Sequence, residues 1–259
     1  LSLTQTLADE LVVATRDRIT VAPLTARFPD LTLDDAYEIQ LAQQRVAEAS
    51  GRVLVGRKIG LTSAAMQQQL GIDSPDFGYF FDDMVYRDGD TVPISRFIAP
   101  RIEPEFAFVL GNDLVGPGVT IDDARRSVAQ VLPALEIIDS RIADWKIKLV
   151  DTVADNASCG AIVLGPELDG VDPAALREVE CSLVLDHQVL RIGYGRDVLG
   201  DPMAALAWLA NTLGERGVVI AAGQTVLPGA FVAAATVTAG SIVSADFGAL
   251  GSVTVTFES

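Results

Sequence analysis

The stretch EPEFAFVL, residues 103–110, alternates with the two-residue period of a strand that buries one face. Phe106, Phe108 and Leu110 fall on one side of it, and Glu103, Glu105 and Ala107 on the other. VLPALEIID, 131–139, predicts a second strand. Between the two, Thr120 followed by Asp122 and Asp123 predicts a helix start, with the helix reaching about Val128. The first 70 residues predict mainly helices. Thr32 caps one of them, with Asp34 and Asp35 in its first turn, and it runs through Ile39 and Val46 to Gly51.

RVLVGRKIGLT, 52–62, then predicts a strand, after which Ser63 caps a short AAMQQQL helix ended by Gly71. The turn formers of PDFG, FDDM and RDGD make residues 75–90 a long irregular segment and a candidate lid. Asp201 and Pro202 open a packing helix with Met203, Leu206, Leu209, Ala210 and Leu213 on one stripe. From Val218 to Phe257, short strands broken by AAGQ, LPG, TAGS and FGALGS predict a meander or roll rather than a βαβ array. No fixed-period repeat and no Pro/Ser-rich linker interrupts the chain. A mainly helical region, 1–70, is therefore expected to pack directly on a β-rich domain, 71–259.

Composition narrows the classes. With 49% hydrophobic and 21% charged residues over 259 positions, the chain can bury a substantial core. A formal charge of −16 repels phosphate backbones and anionic lipid, so no nucleic-acid and no membrane partner is expected. There is no apolar run long enough to span a bilayer and no basic-then-apolar leader pattern, so a cytoplasmic protein is expected. Cys159 and Cys181 are too few for a disulfide framework or a thiolate metal cluster.

The candidate chemistry lies in the carboxylates. Glu103 and Glu105, at i and i+2 of a strand, project from one face roughly 6 to 7 Å apart, close enough to share a divalent cation. Glu136 sits among Ala134, Leu135, Ile137 and Ile138, where a buried carboxylate needs a cation or an arginine. With no His or Cys nearby, a hard ion, Mg²⁺ or Mn²⁺, suits this set. The structural alternative makes Glu103 and Glu105 a solvent face, with Glu136 bridged to Arg101 or Arg141. Lys58, flanked by Val55, Ile59 and Leu61, either enters a cleft or sits at an edge. DTVADNAS, 151–158, either orients water or caps a helix. His187 lies in a surface turn, and the glycine-rich GYGRDVLG and FGALGS lack the order of nucleotide-binding loops.

Taken in order, GRKIGLTSAAMQQQLGIDSPDFG, PRIEPEFAFVLG, LPALEIIDSRI, DTVADNAS and GALGSVTVTFE resemble the 2-hydroxypenta-2,4-dienoate (2-keto-4-pentenoate) hydratases of the fumarylacetoacetate hydrolase superfamily, from about residue 35 to the end. The resemblance implies an α+β fold: a mixed β-roll or sandwich core with a smaller helical N-terminal region. It also implies a divalent metal, Mg²⁺ or Mn²⁺, and a homo-oligomer. Carried over residue by residue, it places the metal on Glu103, Glu105 and Glu136 and makes Lys58 and Asp76 the catalytic pair. Asp155 and Ser158 become substrate-lining residues. Where many hydratases carry Gly-Ala-Leu-Gly-Pro, this chain has Leu227-Pro228-Gly229-Ala230-Phe231, so Pro228 and Gly229 stand beside the implied pocket.

The implied reaction is hydration of a small 2-hydroxy-dienoate, by way of its 2-oxo form, to a 4-hydroxy-2-oxo acid in aromatic or steroid ring degradation. Decarboxylation of 2-oxohex-3-enedioate (4-oxalocrotonate) is the alternative, and association with such a pathway enzyme is an implied partnership. A C–C hydrolase of the superfamily would need a histidine in the N-terminal part, and the first histidine here is His187. A noncatalytic subunit would lack metal carboxylates, and all three are present.

Overall fold

In the computed structural model, which describes residues 2–63, 67, 74–168 and 170–259, helices and two mixed sheets share one hydrophobic core. The chain starts with helices Leu3–Asp17, Leu24–Arg27 and Leu33–Ala49. Thr32 caps the third helix as expected, and Asp35 returns the bond, with Asp35 N–H donating to Thr32 Oγ1 at 3.1 Å and Thr32 N–H to Asp35 Oδ2 at 2.9 Å. This helix is fastened to the rest of the chain by buried amides. Gln40 Nε2 donates to the carbonyls of Phe77 and Val153, and Gln43 Nε2 to that of Ala154. Apart from residue 67, the short helix expected over 64–70 lies outside the described residues.

The strands follow as β1 (Leu54–Gly60), β2 (Asp76–Phe81), β3 (Val85–Arg87), β4 (Thr91–Pro93), β5 (Arg101–Leu110), β6 (Val128–Ile138), β7 (Cys159–Leu164), β8 (Glu180–Leu185), β9 (Gln188–Tyr194), β10 (Thr225–Leu227), β11 (Ala235–Thr236), β12 (Ile242–Asp246) and β13 (Ser252–Glu258). The larger sheet has the order β2-β1-β10-β5-β6-β7-β3, with β11 also on β5; the smaller is β4-β13-β12-β8-β9. β10 runs parallel to β1, β3 to β7 and β4 to β13, and the other pairs are antiparallel. The sheets meet through the apolar face of β5. Phe106 stacks on Phe247 at 4.8 Å and meets Phe231 edge-on at 5.0 Å. The same alternation turns Glu103 and Glu105 to the other face, so one strand supplies both core and site.

Three expectations need correction. Residues 75–90 are not an irregular lid: β2 is buried along its whole length, and a 3₁₀ turn over Asp82–Met84 leads straight into β3. The turn formers there mark tight reversals between short strands. The tail from Val218 is not one meander either. β10 and β11 join the larger sheet while β12 and β13 pair in the smaller. Arg101 and Arg141 do not bridge Glu136; its cationic neighbour is Lys58. The helix Pro202–Gly214 forms as expected, with Asp201 Oδ1 accepting from Met203 N–H at 2.8 Å and with Met203, Leu206, Leu209, Ala210 and Leu213 buried. His187 turns the β8–β9 hairpin at φ 66°. No helix among the described residues is long and apolar enough to cross a membrane.

Candidate active site

β5 and β6 pair antiparallel in the register Glu103↔Glu136 and Glu105↔Ala134, so two carboxylates stand directly opposite each other. One oxygen from each of Glu103, Glu105 and Glu136 lies within 4.8 Å of the others, and all three residues are buried. Glu105 Oε2 accepts from Gly229 N–H at 2.8 Å, whereas Glu105 Oε1 and both oxygens of Glu136 accept no hydrogen bond. Lys58 Nζ lies 3.2 Å from Glu136 Oε1 and donates to the Ala157 carbonyl at 3.0 Å.

Burial, then Glu136, push the Glu103 carboxyl up to about 8, against the partial relief Lys58 gives. Burial raises Glu105 well above the usual range, with Glu136 and Glu103 adding to it, and burial also raises Glu136 despite Lys58. Burial by itself would lower the Lys58 ammonium, but Glu136 and then Asp76 hold it above its ordinary value. The cluster is thus short of positive charge. Three dry carboxylates with unfilled lone pairs, all oxygen donors at mutual ligand distance, fit a hard divalent cation.

Asp76 enters from β2, paired with Gly60 of β1. A Cβ on Gly60 would stand 2.2 Å from Asp76 Oδ1, so only glycine leaves that oxygen room. Thr152 Oγ1 donates to Asp76 Oδ2 at 3.4 Å, Oδ1 has no partner, and burial raises the carboxyl while Lys58 lowers it. Gly229, at φ 125°, closes the opposite side, where a Cβ would meet Thr62 Oγ1 at 2.1 Å. Pro228 beside it is buried.

The structure separates the two residues taken from DTVADNAS. Asp155 is committed to Arg141: its Oδ1 accepts from Nε at 2.5 Å, and its Oδ2 from the Arg141 N–H and the Ser140 hydroxyl, both at 3.0 Å. Ser158 Oγ is buried with no partner. Asn156, Ala157 and Ser158 all adopt left-handed φ, at 54°, 48° and 54°, a run that costs each non-glycine residue roughly 1–2 kcal/mol. Arg141 pins this run at one end, since it also bonds the carbonyls of Asp139, Cys159 and Asp155. At the other, Asn156 Oδ1 accepts from Tyr79 N–H at 2.9 Å and its Nδ2 donates to the Tyr79 carbonyl at 2.8 Å. The run's product is the Ala157 carbonyl aimed at Lys58. Sequence reasoning missed Thr152 and Asn156 as individuals, although both lie in the polar segment it marked.

The family model for the fumarylacetoacetate (FAA) hydrolase C-terminal domain matches residues 50–258. A 2-hydroxypent-2,4-dienoate hydratase of Pseudomonas putida is 48% identical over 220 residues, covering 84% of this chain and 98% of its own. A 2-hydroxyhexa-2,4-dienoate hydratase of Comamonas testosteroni is 42% identical over 257 residues, covering 98% and 97%. Among solved structures, the 4-oxalocrotonate decarboxylase of Pseudomonas putida G7, complexed with magnesium and adipate, superposes with a TM-score of 0.93 at 35% identity, covering 98% of this chain and 97% of its own. The chain belongs to the fumarylacetoacetate hydrolase family and, by these relatives, to its hydro-lyases.

Proposed function

We propose that the protein hydrates 2-hydroxypenta-2,4-dienoate, or a short alkyl homologue, to a 4-hydroxy-2-oxo acid. The observation that carries this reading is the dry carboxylate trio facing Lys58, with Glu105 Oε1 and Glu136 Oε2 accepting no hydrogen bond and one lysine set against three carboxylates. Glu103, Glu105 and Glu136 would hold Mg²⁺ or Mn²⁺; a relative of known structure, the 4-oxalocrotonate decarboxylase, is complexed with magnesium. When bound, the cation withdraws electron density from the 2-oxo acid end of the substrate and stabilises negative charge developing there.

The chain's own groups supply the rest. Ketonisation moves a proton from the 2-hydroxyl to C5; hydration then forms a C4–O bond to water, releases one proton from that water and adds one at C3. Asp76, with a free Oδ1 and a carboxyl raised by burial, is suited to accept and return the proton. Lys58 stays protonated beside Glu136 and presents a fixed positive charge where an anionic substrate must enter a −16 protein. Ser158 Oγ offers an unused hydroxyl to the substrate, while Pro228 and Gly229 shape the wall. Asp155 acts through Arg141 to hold the loop.

The sequence resemblance supports the finer expectations of a homo-oligomer in aromatic or steroid ring breakdown, associated with a pathway enzyme, and the residue pattern supports a cytoplasmic protein in which residues 1–70 pack on a catalytic domain, 71–259. A second reading, decarboxylation of 2-oxohex-3-enedioate, draws on the superposition with the decarboxylase. Product analysis with Mg²⁺ separates the two. Loss of the dienoate's ultraviolet band with formation of a 4-hydroxy-2-oxo acid is expected. Release of CO₂ from the enedioate, with no turnover of the dienoate, would replace this reading with the second.

A further inference from the structure

A cavity of about 550 Å³ opens between the C-terminal ends of helices Leu3–Asp17 and Leu33–Ala49 and the chain around β2 and β7. It shares no lining residue with the carboxylate trio, Lys58 or Asp76, and Asn156, Arg141 and Cys159 form part of its wall. Basic residues outnumber acidic ones along its wall. Five of the chain's 19 basic residues line it (Arg16, Arg18, Arg52, Arg96 and Arg141), against one of its 35 acidic ones, Asp139. Asp139 spends its oxygens on the N–H groups of Ile98 and Ala99.

The arginines differ in what they have left to offer. Arg141 is used up on Asp155 and backbone carbonyls, and Arg96 donates to the Tyr86 hydroxyl and the Asp83 carbonyl. Arg16 pairs with Asp17. Arg52 lies over the Phe81 ring at 4.3 Å and meets Asp83 through Nε and Nη2, which leaves Nη1 without a partner. The Arg18 side chain has no hydrogen bond or ion pair among the described residues. Cations at a helix C-terminus answer its dipole, which accounts for Arg16 and Arg18 and, just past Ala49, for Arg52, but not for Arg96 arriving from another element. Val46, Met84, Phe97 and Ile98 add apolar wall between the charges.

We propose that this cavity is a second binding site, for a small organic acid with an apolar body and one carboxylate held by Arg18 and Arg52. A cavity of this size suits such a ligand, and planar guanidinium groups favour carboxylate geometry. The apolar wall excludes a compact inorganic anion as the best fit.

The test is calorimetric titration of the Mg²⁺-loaded full chain with hexanoate, with neutral hexanamide and inorganic phosphate as controls. Saturable hexanoate binding is expected, at least about tenfold tighter than either control. Arg18→Glu should weaken it by about tenfold or more while turnover and melting temperature stay unchanged, and Arg52→Lys should weaken it less, because the charge remains without the fork. Crystals grown with 6-bromohexanoate should show the bromine anomalous peak in this cavity. Equal binding of hexanamide, unchanged affinity in Arg18→Glu, or a bromine peak only beside Glu103 would overturn the proposal. So would absence of binding together with self-association lost in Arg18→Glu, since a second copy of the chain would then fill the cavity.

Discussion

Two buried charge clusters sit on either side of the left-handed run at 156–158, and they are built in opposite ways. Around Arg141 and Asp155 every side-chain nitrogen of the guanidinium and both carboxylate oxygens have a protein partner. Around Glu103, Glu105 and Glu136, three carboxylates share one lysine, and three of their oxygens have no hydrogen-bond partner. Burial is the same in both. A filled cluster holds shape, whereas one with vacant acceptors leaves chemistry for something that arrives later. The comparison makes the first cluster structural and the second functional, and it can be broken by mutation.

The largest effect is expected in the open cluster. Glu105→Gln should lower kcat by on the order of a thousandfold, with melting temperature held or raised, because removing one of three repelling carboxylates relieves the metal-free fold; Glu136→Gln should lower kcat as much but also cost some stability, because it strands the buried Lys58 ammonium. Lys58→Met and Asp76→Asn should lower kcat by about a hundredfold or more with metal affinity largely kept, as steady-state kinetics beside calorimetry would show. The closed cluster should respond in stability instead. Arg141→Met strands Asp155 in the interior, and denaturant unfolding should report a loss of about 3–5 kcal/mol. If Arg141→Met cost activity alone and Glu136→Gln cost stability alone, the distinction would be reversed.

A smaller, graded effect concerns pH. Glu103 moves from an ordinary 4.5 up to about 8 without metal, so the metal-free fold binds a proton that the unfolded chain releases. Stability from that group is full below pH 4.5 and is lost as pH rises through about 8. Metal requires the ionised form, so loss of this one proton should raise its affinity by up to about tenfold per pH unit across the same window. Melting curves from pH 5 to 8, with and without Mg²⁺, should diverge as pH rises, by roughly a few degrees or more.

Much of this was legible from the chain. The alternation in EPEFAFVL placed the phenylalanines and glutamates on opposite faces because strand period is local. The hydrophobic setting of Glu136 announced its burial for the same reason. What stayed hidden was long-range. No local pattern says that β10 runs parallel to β1 between it and β5, or that Arg141 reaches forward to Asp155 while Lys58 takes Glu136. The turn formers of 75–90 masked a buried strand, since short strands joined by tight reversals read like a loop. The left-handed run contains no glycine, so nothing in its composition marks a shape that Asn156 and Arg141 impose from outside.

The central claim is that the vacant oxygens of Glu103, Glu105 and Glu136 are metal ligands, and calorimetric titration of Mg²⁺ or Mn²⁺ into the chelator-stripped protein tests it most directly. One ion per chain is expected, with heat abolished in Glu136→Gln and retained in Ser158→Ala. No binding in the native protein, or binding unchanged by Glu136→Gln, would contradict the account.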